Sequence, residues 1–262
     1  MLDICNDFSK EYYIKFNGEK SKCICFGNKP NNHRNVYVDG NSIKWYNSVL
    51  HLGNKVTSDL SDCQDICYKR GCFIQSVNKL LAIYGNIPSY ILSILFNAYC
   101  SSFYGSQIWD LSCKELQKLY VSWHKGVRKI WRLSPRSHTN LLSAINNSMY
   151  ISEQLSLRFL KLFHQSCNSK NDIVLFITKR AMYTCDSIIG RNLIYVARKY
   201  GVPLETVING KVKTHIMDYC NNSKKQDGYV VRELCNVRDD IWTIDGFTMD
   251  NILETIQILC EF

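Results

Sequence analysis

Apolar and polar positions divide the chain into a strand-rich opening and a long helical remainder. Leu2 to Glu11 predicts a helix, with Leu2, Ile4, Cys5 and Phe8 on one side. Tyr12 to Phe16 and Lys22 to Phe26 predict strands on either side of the turn-forming pair Asn17-Gly18. Val36 to Val38 and Ser42 to Trp45 flank Asp39-Gly40, a hairpin signal in which Asn41 is counted into the loop. Val49 to Gly53 follows as a short strand ending in glycine. From Thr57 the period becomes helical. Thr57, Ser58 and Asp59 are candidate caps, and Ile66, Phe73, Val77, Leu80, Leu81 and Tyr84 are spaced for a buried stripe. Ile87-Pro88-Ser89 interrupts that helix, and Tyr90 to Cys100 resumes it. Tyr104 to Asp110 reads as a compact turn. Further helices are predicted after Thr139-Asn140 and over Glu153 to Cys167, Ile173 to Arg180 and Ser187 to Tyr200. Asn221 to Gly228 reads as a linker, Tyr229 to Asp240 as a strand or helix, and Met249 to Cys260 as a closing helix. This order predicts an α+β fold, short strands first and helices after.

One stretch combines this periodicity with charge: Lys114 to Arg136. Wound at about 100° per residue, Lys114, Lys118, Lys125, Lys129 and Arg132 fall within roughly 40° of one line along the axis. Leu116, Leu119, Tyr120, Trp123, Val127, Ile130 and Trp131 take the opposite face, and Glu115 is the lone acid. Such a helix runs about 27 Å to Arg132, and Pro135 is the expected stop, with Arg136 just beyond. Arg128 sits at the edge of the row. A line of cations on an apolar back suits a phosphate backbone. It equally fits the ordinary solvated face of an amphipathic helix, where Lys and Arg are common. Charge alone does not decide between the two.

Composition narrows the setting. A chain of 262 residues buries a proper core and holds one or two domains. Its formal charge of +9 favours a polyanionic partner, either nucleic acid or an acidic membrane surface. With 16 Tyr and 11 Phe it is no disordered basic tail. Neither a secretory leader nor a bilayer-length apolar run is visible, so a soluble intracellular protein of nucleus or cytoplasm is expected. In a reducing compartment the 13 cysteines read chiefly as buried thiols. Cys23 and Cys25 lie in a strand-like run, and Cys63, Cys67 and Cys72 on a helical pattern without the knuckle loop of a zinc site. No metal-ligating residues are therefore nominated. Cys113 and His124 are too far apart along a helix to form a nucleophile pair, and no Gly-rich phosphate loop or nucleophile elbow occurs.

Four blocks in register resemble the C-terminal part of reverse transcriptases from non-LTR retrotransposons. The first is Leu2-Asp3-Ile4-Cys5 with Phe16-Asn17-Gly18-Glu19-Lys20-Ser21-Lys22-Cys23, similar to the helix and Phe-Asn-x-x-Lys-Ser segment of the palm. His51-Leu52-Gly53 resembles the Leu-Gly element at the palm–thumb junction. Tyr104-Gly105-Ser106-Gln107-Ile108-Trp109, followed by the basic helix, resembles the thumb. Val231 to Asp239 is similar to the close of such reading frames.

The resemblance implies a palm remnant over 1–56, a helical thumb with following helices over 57–220, and a tail over 221–262. It places Lys20 near the incoming nucleotide, where it would neutralise or protonate departing pyrophosphate, although a plain turn lysine after Asn17-Gly18 explains it as well. It makes His51, Leu52 and Gly53 a primer-grip-like element, against the alternative of a buried strand end. Lys114, Lys118, Lys125, Lys129, Arg132 and Arg136 would contact the phosphates of an RNA/DNA template–primer duplex without reading bases. The family's metal-binding Asp-Asp pair lies upstream of the segment equivalent to Leu2, and Asp3 and Asp7 are better explained as helix-start acids. This chain alone is thus expected to be inactive, with no catalytic residue and no cofactor of its own. The parent polymerase would use Mg2+, and the missing N-terminal polymerase portion is the other implied partner. The rival expectation is a helical protein-interaction module derived from such a thumb; a third, binding to a membrane surface, conflicts with a Trp/Tyr back face suited to core packing.

Overall fold

The computed structural model describes residues 2–27, 35–38 and 40–222 and shows an α+β chain. It divides into two compact units, 1–68 and 69–262. The sequence readings at 223–228, Tyr229 to Asp240 and Met249 to Cys260 lie outside the described residues.

The first unit opens with α1 (Leu2–Glu11), at the bounds its periodicity predicts. The helix closes through Ile14 N–H to the Ser9 carbonyl at 3.1 Å, with Tyr13 in the left-handed region at φ 51°. That turn consumes Tyr12 and Tyr13, so the expected strand from Tyr12 to Phe16 does not form. The matching expectation at Lys22 to Phe26 shrinks to β1 (Cys23–Ile24). Next come β2 (Val36–Val38) and β3 (Asn41–Ile43), an antiparallel pair in which Val38 faces Asn41. Asn41 therefore belongs to the ladder and not to the loop. β4 (Trp45–Tyr46) pairs with β1 in parallel, and β5 (Ser48–His51) pairs antiparallel with β6 (Asn54–Thr57). Val38 and Ile43 are buried, while Leu2, Ile4 and Phe8 of α1 are exposed.

Thr57 does not cap the long helix. Its hydroxyl accepts from Ser61 N–H at 3.1 Å, and Ser61 Oγ in turn accepts from Cys63 N–H at 3.3 Å. The helix starts there, three to five residues later than caps at Thr57, Ser58 or Asp59 would place it, as α2 (Cys63–Tyr84). Asp65 in its first turn accepts Lys55 N–H at 2.7 Å, tying β6 to the helix start within the first unit.

The second unit begins inside α2 and adds α3 (Ser89–Tyr99), a 3-10 turn at Ser106–Ile108, α4 (Glu115–Ile130), α5 (Leu141–Ile145) and α6 (Ile151–Cys167). α7 (Asp172–Met182), α8 (Ile188–Tyr200), α9 (Leu204–Ile208) and a helix over 212–222 complete it. The first two residues of the expected linker, Asn221 and Asn222, are thus helical. Buried apolar residues run through Phe73, Phe96, Trp109, Trp123, Leu155 and Val196. Two polar side chains, a half-buried arginine and a buried asparagine, fix the segment that leads into α4. Arg158 of α6 donates to the carbonyls of Ser101, Ser102 and Phe103 and to Ser106 Oγ. Asn192 of α8 accepts Leu111 N–H and donates to the Trp109 carbonyl, both at 2.8 Å. Each pairing satisfies main-chain groups that burial would otherwise leave without water.

Candidate nucleic-acid interface

α4 is built by its two faces. Leu116, Leu119, Trp123, Val127 and Ile130 are at most 1 % exposed. Gly126 shares that side because a Cβ there would lie 3.0 Å from Phe73 Cζ and 3.2 Å from Phe96 Cε2. Glu115 in the first turn and Arg128 and Lys129 in the last complement the helix dipole. Pro135 does not terminate the helix. It ends at Ile130, where Arg132 N–H reaches the Lys129 carbonyl and Leu133 N–H the Arg128 carbonyl, with Arg132 at φ 52°. That is a Schellman closure with arginine where glycine is usual.

The outward face carries the expected cations, and the structure sorts them. Lys114, Lys118, Lys125 and Lys129 are all exposed. Lys118 pairs with Glu115 at 2.7 Å, a surface ion pair worth about 0–1 kcal/mol and readily released. Lys129 Nζ donates to Asn78 Oδ1 of α2 at 3.1 Å, which holds its charge in place without neutralising it. Lys114 and Lys125 form no ion pair among the described residues. Arg132 donates through Nη2 to the Gly85 carbonyl at 2.7 Å and more weakly to that of Ile87, beyond the end of α2. Arg136 is exposed beyond the helix. Arg128 is half-buried, grips the Ser137 carbonyl through Nε and Nη2 at 3.2 and 2.7 Å, and is pushed down by burial. His124 is also pushed below its usual value, by burial first and then by the Arg128 charge, which keeps it neutral at pH 7.

Between α2 and α4 lies a cleft of about 160 Å³, with Phe73 and Val77 in its lining and Lys125 and Lys129 on the α4 side. Asn78, which orients Lys129, was not singled out by sequence. Its own helix carries no signal for that pairing, which depends on how two helices meet.

The remaining candidate residues belong to the first unit. Leu52 and Gly53 are the two central residues of the β5–β6 turn, at φ 46° and 78°, and His51 faces Asn54. Positive φ at both positions is the type I′ hairpin geometry. Leu52 is 75 % exposed, so this is a projecting turn and not a buried strand end. Lys20 is exposed in a turn in which its N–H donates to Asn17 Oδ1 at 3.0 Å. A polar cleft of about 300 Å³ lies beside it, lined by Gly18, Glu19, Ser21, Ser42, Lys44 and Tyr46 but not by Lys20. Among the described residues no cluster of His, Cys, Asp or Glu is arranged to hold a metal ion, and no helix is long and apolar enough to cross a membrane.

Comparison with protein-family models, with curated proteins and with solved structures finds no match to this chain.

Proposed function

We propose that this chain is the palm-end and thumb portion of a non-LTR retrotransposon reverse transcriptase, and that α4 holds the phosphate backbone of its template–primer duplex. The observation that carries the binding role is the exposed row Lys114, Lys118, Lys125 and Lys129 on a helix whose other face is sealed into the core. Lysine contacts of this kind set affinity and orientation and read no sequence. Lys114, Lys125 and Arg136 are the readiest contacts, Lys118 becomes available once released from Glu115, and Lys129 is pre-positioned by Asn78. Arg132 is more a structural clamp than a footprint residue. The order of the sequence blocks supports the family reading. The role assigned to these residues is binding, not phosphoryl transfer.

Titration of a labelled RNA/DNA duplex at salt concentrations between about 50 and 200 mM tests the role, because each lost phosphate contact lowers the slope of log K against log salt by roughly 0.9. Lys118→Glu with Lys125→Glu is expected to weaken binding at least about tenfold and to flatten the slope by about two. An unchanged slope rejects the row as the footprint and favours a helical protein-interaction module.

A further inference from the structure

Helix α7 turns a large apolar surface outward. It packs on α6 and α8, with Thr178 buried and Leu175, Ala181 and Met182 partly so. The opposite side carries Ile173, Phe176 and Ile177, exposed by 68, 65 and 57 %, and Tyr183 follows at 78 %. On a helix these positions span an arc of about 120°. Large apolar residues at i, i+3 and i+4 are the pattern of a seam, and a contiguous patch of this kind is unlike single exposed residues on an ordinary surface. Cations lie on and beside this face: Lys179 stands at its edge, and Arg180 is in line with it, one turn beyond Phe176 and Ile177. Lys170, Lys179 and Arg180 are exposed and form no ion pair among the described residues, and Asp172 is the one acid of α7.

The same chain contains a segment with the complementary pattern. Residues 249–261 lie outside the described residues; in their sequence Met249, Ile252, Leu253, Ile256 and Cys260 recur at helical spacing. Asp250, Glu254 and Glu261 flank that row, and no Lys or Arg occurs after Arg238. Even as random coil the connection over 223–248 would reach roughly 28 Å, about the diameter of a small domain. A tether of that length supplies an effective concentration of order millimolar, so a modest contact suffices.

We propose that segment 249–261 docks along the outer face of α7 in the same chain. Its apolar row would cover Ile173, Phe176 and Ile177, and its carboxylates would lie beside Lys179 and Arg180. Charge favours this occupant over a second copy, because pairing α7 with itself would bring two cationic faces together.

Hydrogen–deuterium exchange on the full chain tests the proposal. Amides over 249–259 are expected to be protected. Ile252→Asp with Ile256→Asp should speed exchange over 172–182 about tenfold or more, leaving α4 unchanged. Phe176→Asp, a change at an exposed site, should release 249–259 reciprocally. Lys179→Glu with Arg180→Glu should weaken protection of both segments, and adding Glu254→Lys should restore part of it. Unprotected amides over 249–259 in the unaltered chain, or exchange over 172–182 that ignores the tail substitutions, would overturn it. So would a sedimenting dimer that Phe176→Asp converts to monomer, because the second copy would then cover the face.

Discussion

Gly126 shows how a residue without a side chain sets the position of the basic row. Its absent Cβ lets the α4 backbone come close to the rings of Phe73 and Phe96, and Lys125 and Lys129 stand on either side of that contact along the helix. A glycine inside a helix weakens it by about 1 kcal/mol relative to alanine, so its presence on the buried side points to close packing. Gly126→Ala should come out near neutral, the gain in helix propensity offsetting a tight but yielding contact with the two rings. Gly126→Val has no such offset. It should lose about 1–3 kcal/mol in urea unfolding through over-packing, while the salt slope of duplex binding by the folded protein stays unchanged. Charge on its own hides a second distinction on this helix. Lys125 and Arg128 are both cations, yet Lys125 stands in water and Arg128 satisfies the Ser137 carbonyl from a half-buried position. Loss of Arg128 would therefore disturb packing before it reported on binding.

Three helices of this chain end in ways that glycine and proline do not announce, whereas α8 ends on a left-handed Gly201. Tyr13, Arg132 and Asn147 each take φ between 42 and 52° just past a helix, after α1, α4 and α5. In each case a 6→1 bond closes the end: Ile14 to Ser9, Leu133 to Arg128, Ser148 to Ser143. An L-residue held there costs roughly 1–2 kcal/mol, and at Arg132 the bond to the Gly85 carbonyl offsets part of it. Arg132→Ala and Arg132→Gly both remove that bond, but only alanine keeps the strain. Alanine should destabilise, glycine should come out near neutral because relief of the strain offsets the lost bond, and the two should differ by about 1 kcal/mol or more in thermal or urea unfolding. Equal losses would show that the left-handed geometry contributes nothing. These closures also explain where the sequence misled. Helix bodies were legible because their apolar spacing is long and regular, as at α1, α4 and α8. The end of α4 was not, because arginine carries no stop signal and the Pro135 signal comes five residues late. Strands of two or three residues, such as β1 and β4, are too short for alternation to fix a partner, so their parallel pairing could not be foreseen. The row of cations was legible as a face. Which of its members are occupied depended, beyond the local Lys118–Glu115 pair, on Asn78 and Gly85, residues brought near by tertiary packing.

A protein carrying +9 attracts any polyanion, so binding to a duplex does not by itself identify a surface. The general field and a local footprint respond differently to where charge is removed. Lys118→Glu with Lys125→Glu and Lys211→Glu with Lys213→Glu each lower the formal charge from +9 to +5. All four side chains are exposed, and neither pair touches the buried face of α4. Long-range attraction depends chiefly on the total, so both double variants should slow association to a similar degree at low salt. Counterion release depends on the phosphates actually covered, so only the α4 pair should flatten the salt slope, by about two. Stopped-flow association at about 20 mM salt, combined with equilibrium titrations at higher salt, separates the two effects. If both pairs flatten the slope alike, the protein binds as a diffuse positive body and the α4 row has no special standing. If the Lys211 and Lys213 pair lowers the rate but leaves the slope intact, the phosphate contacts lie along α4, on the face that Gly126 and the Schellman closure at Arg132 hold in position.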